Sequence, residues 1–157
     1  MHGVQSLEVE GIRRALETYA KRGVFRSFSE SREGEFRFHW LWNAPFVMTV
    51  DERSGALVFP KLLPGMQPES ELESDVKRFL AACSSPERLE HRRLDPRQLT
   101  VTYSNRGGKG TLRFRIKTTD YETATRQAVQ LVNELFVSHL STHHPSYLVE
   151  HFRVPED

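Results

Sequence analysis

The apolar positions along the chain change period several times, and each change marks an element. Val9, Ile12, Leu16 and Tyr19 recur at steps of three and four, which predicts an amphipathic helix. Ser6 is placed to cap it, Glu8 and Glu10 lie near its positive end, Arg13, Arg14, Lys21 and Arg22 are biased toward the other end, and Gly23 stops it. Its stripe is expected to lie on a sheet. From Val24 to Pro60 the period becomes two: Phe36, Phe38, Trp40 and Trp42 point one way, Arg37, His39 and Leu41 the other. A break at Asn43, Ala44 and Pro45 precedes Phe46, Met48 and Val50, and the turn from Asp51 to Gly55 leads into Ala56 to Phe59. This part reads as a meander of three or four antiparallel strands.

From Lys61 to Pro68, KLLPGMQP is a punctuated loop, and Ser70 with Glu73 has the form of a capping box for a second helix. Leu72, Val76, Phe79, Leu80 and Cys83 form that helix's stripe, which Ser84, Ser85 and Pro86 end. The charged stretch PERLEHRRLDPR has no clear period. Two strands follow, with Leu99, Val101 and Tyr103 alternating with threonines and Leu112, Phe114 and Ile116 alternating with Arg113, Arg115 and Lys117; SNRGGKG is the hairpin turn between them. Thr119 with Glu122 offers a capping box for the longest helix, Tyr121 to Leu140, and Ser146 to Val154 reads as a last strand. The expected fold is a single α+β domain over residues 1–157, an antiparallel β-sheet packed against amphipathic helices in the order α-β-β-β(-β)-α-β-β-α-β.

Composition narrows the function classes. Lys and Arg (22) nearly balance Asp and Glu (21), so no global field draws the chain to nucleic acid or membrane. Cys83 is the sole cysteine, which excludes an intramolecular disulfide framework and a cysteine-built zinc site. No apolar run approaches the roughly 18 residues that span a bilayer. A cytoplasmic protein is expected.

Few residues suggest chemistry. If the last helix reaches His143, then His139 and His143 stand one turn apart and could hold a metal with Glu150 or His151; the competing reading is a helix end, where histidine meets the negative end of the dipole. There is no HExxH, since Leu140 stands where its glutamate would be. SNRGGKGT fails as a phosphate loop, because Tyr103 and Gly110 occupy positions that need a glycine and a Ser or Thr. Cys83 falls on an apolar stripe, where a lone cysteine behaves as a small hydrophobe. No catalytic residue and no cofactor are expected. The run from Arg97 to Lys117 holds no acidic residue, and Arg106, Lys109, Arg113, Arg115 and Lys117 are the candidates for a nucleic-acid contact on a basic sheet face.

The last helix carries two apolar stripes, Ala124, Ala128, Leu131 and Leu135 beside Val129, Val132, Phe136 and Leu140. That is wider than one sheet face requires. Leu131, Val132, Phe136 and Leu140, with Leu62, Leu63 and Met66 from the loop-like segment, are therefore candidates for an interface with a second copy or another polypeptide, unless other parts of the chain cover them.

The order of elements from Ser6 to Leu140, with FRFHWLWNAPFVMTVDERSGALVF and TLRFRIKTTDYETATRQAVQLVNELF as its strands and long helix, resembles that of the YbjN-like proteins and the class I type III secretion chaperones. The resemblance implies a small α+β domain that dimerises and binds other polypeptides without catalysis. The expected function is accordingly a non-enzymatic, chaperone-like protein-binding module, a homodimer, with nucleic-acid binding and metal binding as the alternatives.

Overall fold

The computed structural model describes residues 9–88, 93–152 and 154–155; Ser6 and Glu8, singled out above, lie outside the described residues. Helix α1 (Val9–Lys21) precedes a four-stranded meander, β1 (Arg26–Arg32), β2 (Glu35–His39), β3 (Pro45–Asp51) and β4 (Ala56–Leu63). Helix α2 (Glu71–Ala81) crosses over to the hairpin β5 (Leu99–Arg106) and β6 (Lys109–Ile116). Helix α3 (Tyr121–Asn133) runs on through a π-helical stretch (Glu134–Leu140) into the single turn α4 (Ser141–His143), and α5 (Pro145–His151) follows. The six strands form one antiparallel sheet in the order β1-β2-β3-β4-β6-β5.

One face of the sheet carries the core. Phe36, Phe38, Phe46, Met48, Leu57, Phe59, Leu112 and Phe114 are all buried beneath the helices, as strand alternation requires, while Arg37, Thr102 and Arg115 on the other face are exposed. Helix α1 rests chiefly on α3, with only light contact to β1, so its stripe meets a helix before it meets the sheet. Gly11 permits this approach: a Cβ there would sit 3.4 Å from Cβ of Tyr121.

The aromatic row departs from simple alternation. Phe36, Phe38 and Trp40 are buried, but the chain then turns tightly, the Ala44 N–H donating to Leu41 O at 3.0 Å, and Trp42 (φ 54°) and Asn43 (φ 56°) both adopt left-handed backbone. For residues other than glycine this costs about 1–3 kcal/mol each, and it persists only where the surroundings hold it. Here the Trp42 ring is held edge-on against Phe136, 6.4 Å between centroids.

Two further expectations change. The expected strand from Ser146 to Val154 does not form among the described residues: Pro145 opens α5, where its fixed φ suits the first helical position. Tyr147, Leu148 and Phe152 then fall on one buried face, with the Phe152 ring 4.9 Å from that of Phe136. The cap of α3 is Asp120, which accepts from the backbone N–H of Thr123 at 3.1 Å, rather than Thr119. In contrast, Ser70 accepts from the N–H of Glu73 at 3.1 Å as the capping box requires.

The wide apolar face of the last helix is core. Leu131, Val132, Phe136 and Leu140 are buried, enclosed by α1, the sheet and α5. Leu62 and Leu63 are buried together because β4 bulges between Phe59 and Leu63, with Lys61 at φ 57°, so that two successive side chains turn inward. Met66 is buried too. Among the described residues the only exposed large apolar side chains are Val24 and Val137. None of the described helices is long and apolar enough to cross a membrane.

Candidate polypeptide interface at the free edge of the sheet

The crossover through α2 decides which strand ends the sheet. The chain leaves β4, passes beyond the place β6 will take, and returns, so that β6 pairs with β4 and β5 becomes the outermost strand. Its pairing with β6 is unbroken from Leu99 opposite Ile116 to Arg106 opposite Lys109. Gly107 and Gly108 close the hairpin at φ 62° and 82°, the two positive values that a type I′ turn demands. In such a hairpin the flanking pair is hydrogen-bonded and bonded pairs alternate thereafter. Thr100, Thr102, Ser104 and Arg106 therefore bond to β6, and Val101, Tyr103 and Asn105 turn their N–H and C=O groups outward. Leu99, of the same parity, gives its N–H to Asp95 O at 2.9 Å. Among the described residues, no backbone group of another segment pairs with residues 101, 103 or 105.

Natural sheets guard such edges with bulges, prolines or charges. The opposite edge does so: β1 breaks register twice against β2, between Arg26 and Ser29 and between Glu30 and Arg32. Strand β5 has no bulge, no proline and no charge before Arg106.

The edge is rigidly backed. Glu73, on the first turn of α2, is buried, and its carboxylate accepts from Tyr103 Oη at 2.6 Å, from Asn105 Nδ2 at 2.8 Å and from the Glu69 N–H at 2.8 Å. The Tyr103 hydroxyl, the Glu69 N–H and the Asn105 amide hold this carboxyl down to about 2, against the cost of its burial. The Tyr103 hydroxyl is pushed up in turn, by burial and then by Glu73. Asn105 also donates to Met66 O at 3.2 Å, the Met66 N–H donates to Gly108 O at 2.8 Å, and Tyr147 donates to Pro64 O at 2.7 Å. The segment from Pro64 to Met66 is thus fastened to the hairpin and to α5 at once.

The basic candidates separate into two groups. Arg113 is engaged by Asp51 at 2.8 and 3.0 Å, and Lys117 donates to Pro96 O at 3.3 Å. Arg106, Lys109 and Arg115 are exposed and have no carboxylate partner among the described residues. No aromatic residue joins them, since Phe114 is buried on the inner face and Tyr103 faces Glu73.

The histidines are brought together differently from their expected grouping. Asp75 of α2 places Oδ2 3.1 Å from His139 Nε2 and 2.8 Å from His144 Nε2, and the His143 ring lies 4.9 Å from that of His139. Glu150 is exposed and its nearest basic partner is His151, at 3.8 Å. His139, His143 and Glu150 therefore do not converge, and no group of three or more His, Cys, Asp or Glu among the described residues is arranged to hold a metal ion. Burial pushes the Asp75 carboxyl up, but the hydrogen bond from His144 and the nearby His139 and Arg78 charges outweigh it and leave it below its ordinary value. Burial pushes His139 down, with Asp75 opposing and His143 reinforcing. Cys83 is buried, and its thiol is pushed up by desolvation, away from reactivity.

Comparison with family models, with curated proteins and with solved structures gives no match.

Proposed function

We propose that this protein is a non-enzymatic, chaperone-like polypeptide-binding module of the cytoplasm, and that β5 is the edge on which an extended polypeptide adds as a further strand. The observation that carries this reading is the unbulged, unpaired edge of β5, with three residues offering main-chain groups in register. A second copy of the chain is one such polypeptide. Two β5 strands laid antiparallel would join two sheets into one, which supplies the homodimer without any exposed apolar patch. Main-chain pairing supplies affinity, and the side chains flanking the edge supply selectivity: Thr102, Ser104 and Arg106 on the open face, Val101 and Tyr103 on the helix face.

The direct test is amide hydrogen exchange at Val101, Tyr103 and Asn105, read beside the absolute mass by light scattering. At low concentration these amides exchange fast; as concentration rises, or as a bound polypeptide is added, they gain protection together while the core amides stay as they were. Val101→Pro is expected to keep the fold, because proline is tolerated where an edge N–H faces solvent, and to remove that protection. Fast exchange at every concentration, or a dimer that survives Val101→Pro, sinks the reading. A monomer that carries nucleic acid, seen as excess absorbance at the longer-wavelength nucleic-acid band and lost steeply with salt, would instead favour Arg106, Lys109 and Arg115.

A further inference from the structure

At the end of the sheet opposite to β5, where β1 meets the connection between β2 and β3, lies an open recess of about 450 Å³. Its wall includes both tryptophans of the chain, Trp40 and Trp42, together with Val24, Arg26, His39 and Asn43. The backbone on both sides of this recess is distorted. Ser27 stands at φ 53° within the register shift that follows Arg26, and Trp42 and Asn43 are left-handed in succession. Distortions of this kind re-aim side chains and gather at functional sites.

The lining has a distinct chemistry. It contains no acidic residue. Arg26 is exposed and meets no carboxylate among the described residues, although most of the other arginines nearby on the sheet and on α1 are paired: Arg13 with Glu30, Arg32 and Arg37 with Glu35. His39 keeps its Nδ1 shielded from water and without a partner. Val24 is one of only two exposed large apolar side chains among the described residues. The recess therefore joins an aromatic and apolar wall to an unpaired cationic fork.

We infer that this recess is a binding site for a carboxylate that carries an aromatic ring, its ring against the partly exposed Trp42 indole, which the buried Trp40 backs, and its carboxylate on the Arg26 guanidinium. A guanidinium matches a carboxylate with two parallel hydrogen bonds, and indole faces favour a flat ring over a flexible aliphatic chain. The absence of any acidic lining residue leaves the arginine's charge available to the ligand.

The protein reports on this site by itself, since its two tryptophans both belong to the recess and all indole emission comes from them. The full chain is titrated with 3-phenylpropanoate, with the neutral 3-phenylpropan-1-ol and with acetate. The expected result is a saturable change in tryptophan emission with 3-phenylpropanoate, half-saturating at least tenfold higher for the alcohol and absent for acetate. Arg26→Glu, at an exposed position without a partner, keeps the wild-type melting temperature and weakens 3-phenylpropanoate at least tenfold; Arg26→Gln serves as the milder variant and weakens it in the same direction. No saturable change up to about 10 mM, the limit of a weak specific site, overturns the inference. So does equal binding of acid and alcohol, or binding unchanged in both arginine variants.

Discussion

Phe136→Glu unfolds the monomer. The side chain is fully buried, and its ring meets those of Trp42 at 6.4 Å, Phe46 at 5.9 Å and Phe152 at 4.9 Å. Emptying such a site costs about 3–5 kcal/mol by itself. An unpaired carboxylate in its place adds a desolvation penalty of several more, and a domain whose whole stability is about 5–15 kcal/mol has little left. Circular dichroism is expected to show loss of the cooperative melt for Phe136→Glu, while Phe136→Leu keeps it at a lower temperature. The measurement separates two roles for one residue. If Phe136→Glu stays folded and merely lowers the mass from dimer to monomer, the helix face is an interface after all and the enclosure by α5 is not what stabilises it.

What could be read from the chain follows from how local each signal is. The periods of α1, α2 and α3 and the alternation of β5 and β6 depend on neighbours a few residues away, and those elements form where the pattern places them. The run from Ser146 to Val154 fits either period; Pro145 tips its first part, as far as His151, to helix, and with α5 in place the second stripe of α3 has a cover. The left-handed turn at Trp42 leaves no mark on the apolar pattern at all, because side-chain polarity does not encode the sign of φ. The candidate edge was equally invisible from its own residues. Strand β5 reads like any half-buried strand, and its outermost position comes from the crossover that puts β6 beside β4. Long-range partners share this difficulty: Asp75 meets His144 across 69 positions, and nothing in HLSTHHPSYLVEH points to it.

Glu73 was legible in part, as the glutamate three positions after the cap in a capping box. Its N–H does bond Ser70, but its carboxylate does more than close a helix end: it also takes the Tyr103 hydroxyl and the Asn105 amide, 30 and 32 positions away. The same side chain therefore fixes the start of α2 and the backing of β5, and a change at Glu73 should be felt both in stability and at the edge.

Glu73→Gln is expected to cost about 2–3 kcal/mol, the range for charge-assisted hydrogen bonds whose buried partners are left without an acceptor, which for a chain of this size lowers the melting temperature by roughly 5–10 °C. The pH dependence gives the stricter check. The folded carboxyl sits at about 2, below the ordinary 4.5, so the unfolded chain binds the proton more readily than the native one. The contribution is present in full above pH 4.5 and is lost as pH falls from there toward about 2. Wild-type stability should thus decline through that window more steeply than that of Glu73→Gln, and the two should converge near pH 2. Tyr103→Phe removes one donor and leaves the charge, so it should lose less stability at neutral pH and keep most of the acid slope. Parallel acid profiles for wild type and Glu73→Gln would mean that the carboxylate is not held ionised by its neighbours, and hydrogen exchange at Asn105 would then be unchanged by the substitution as well.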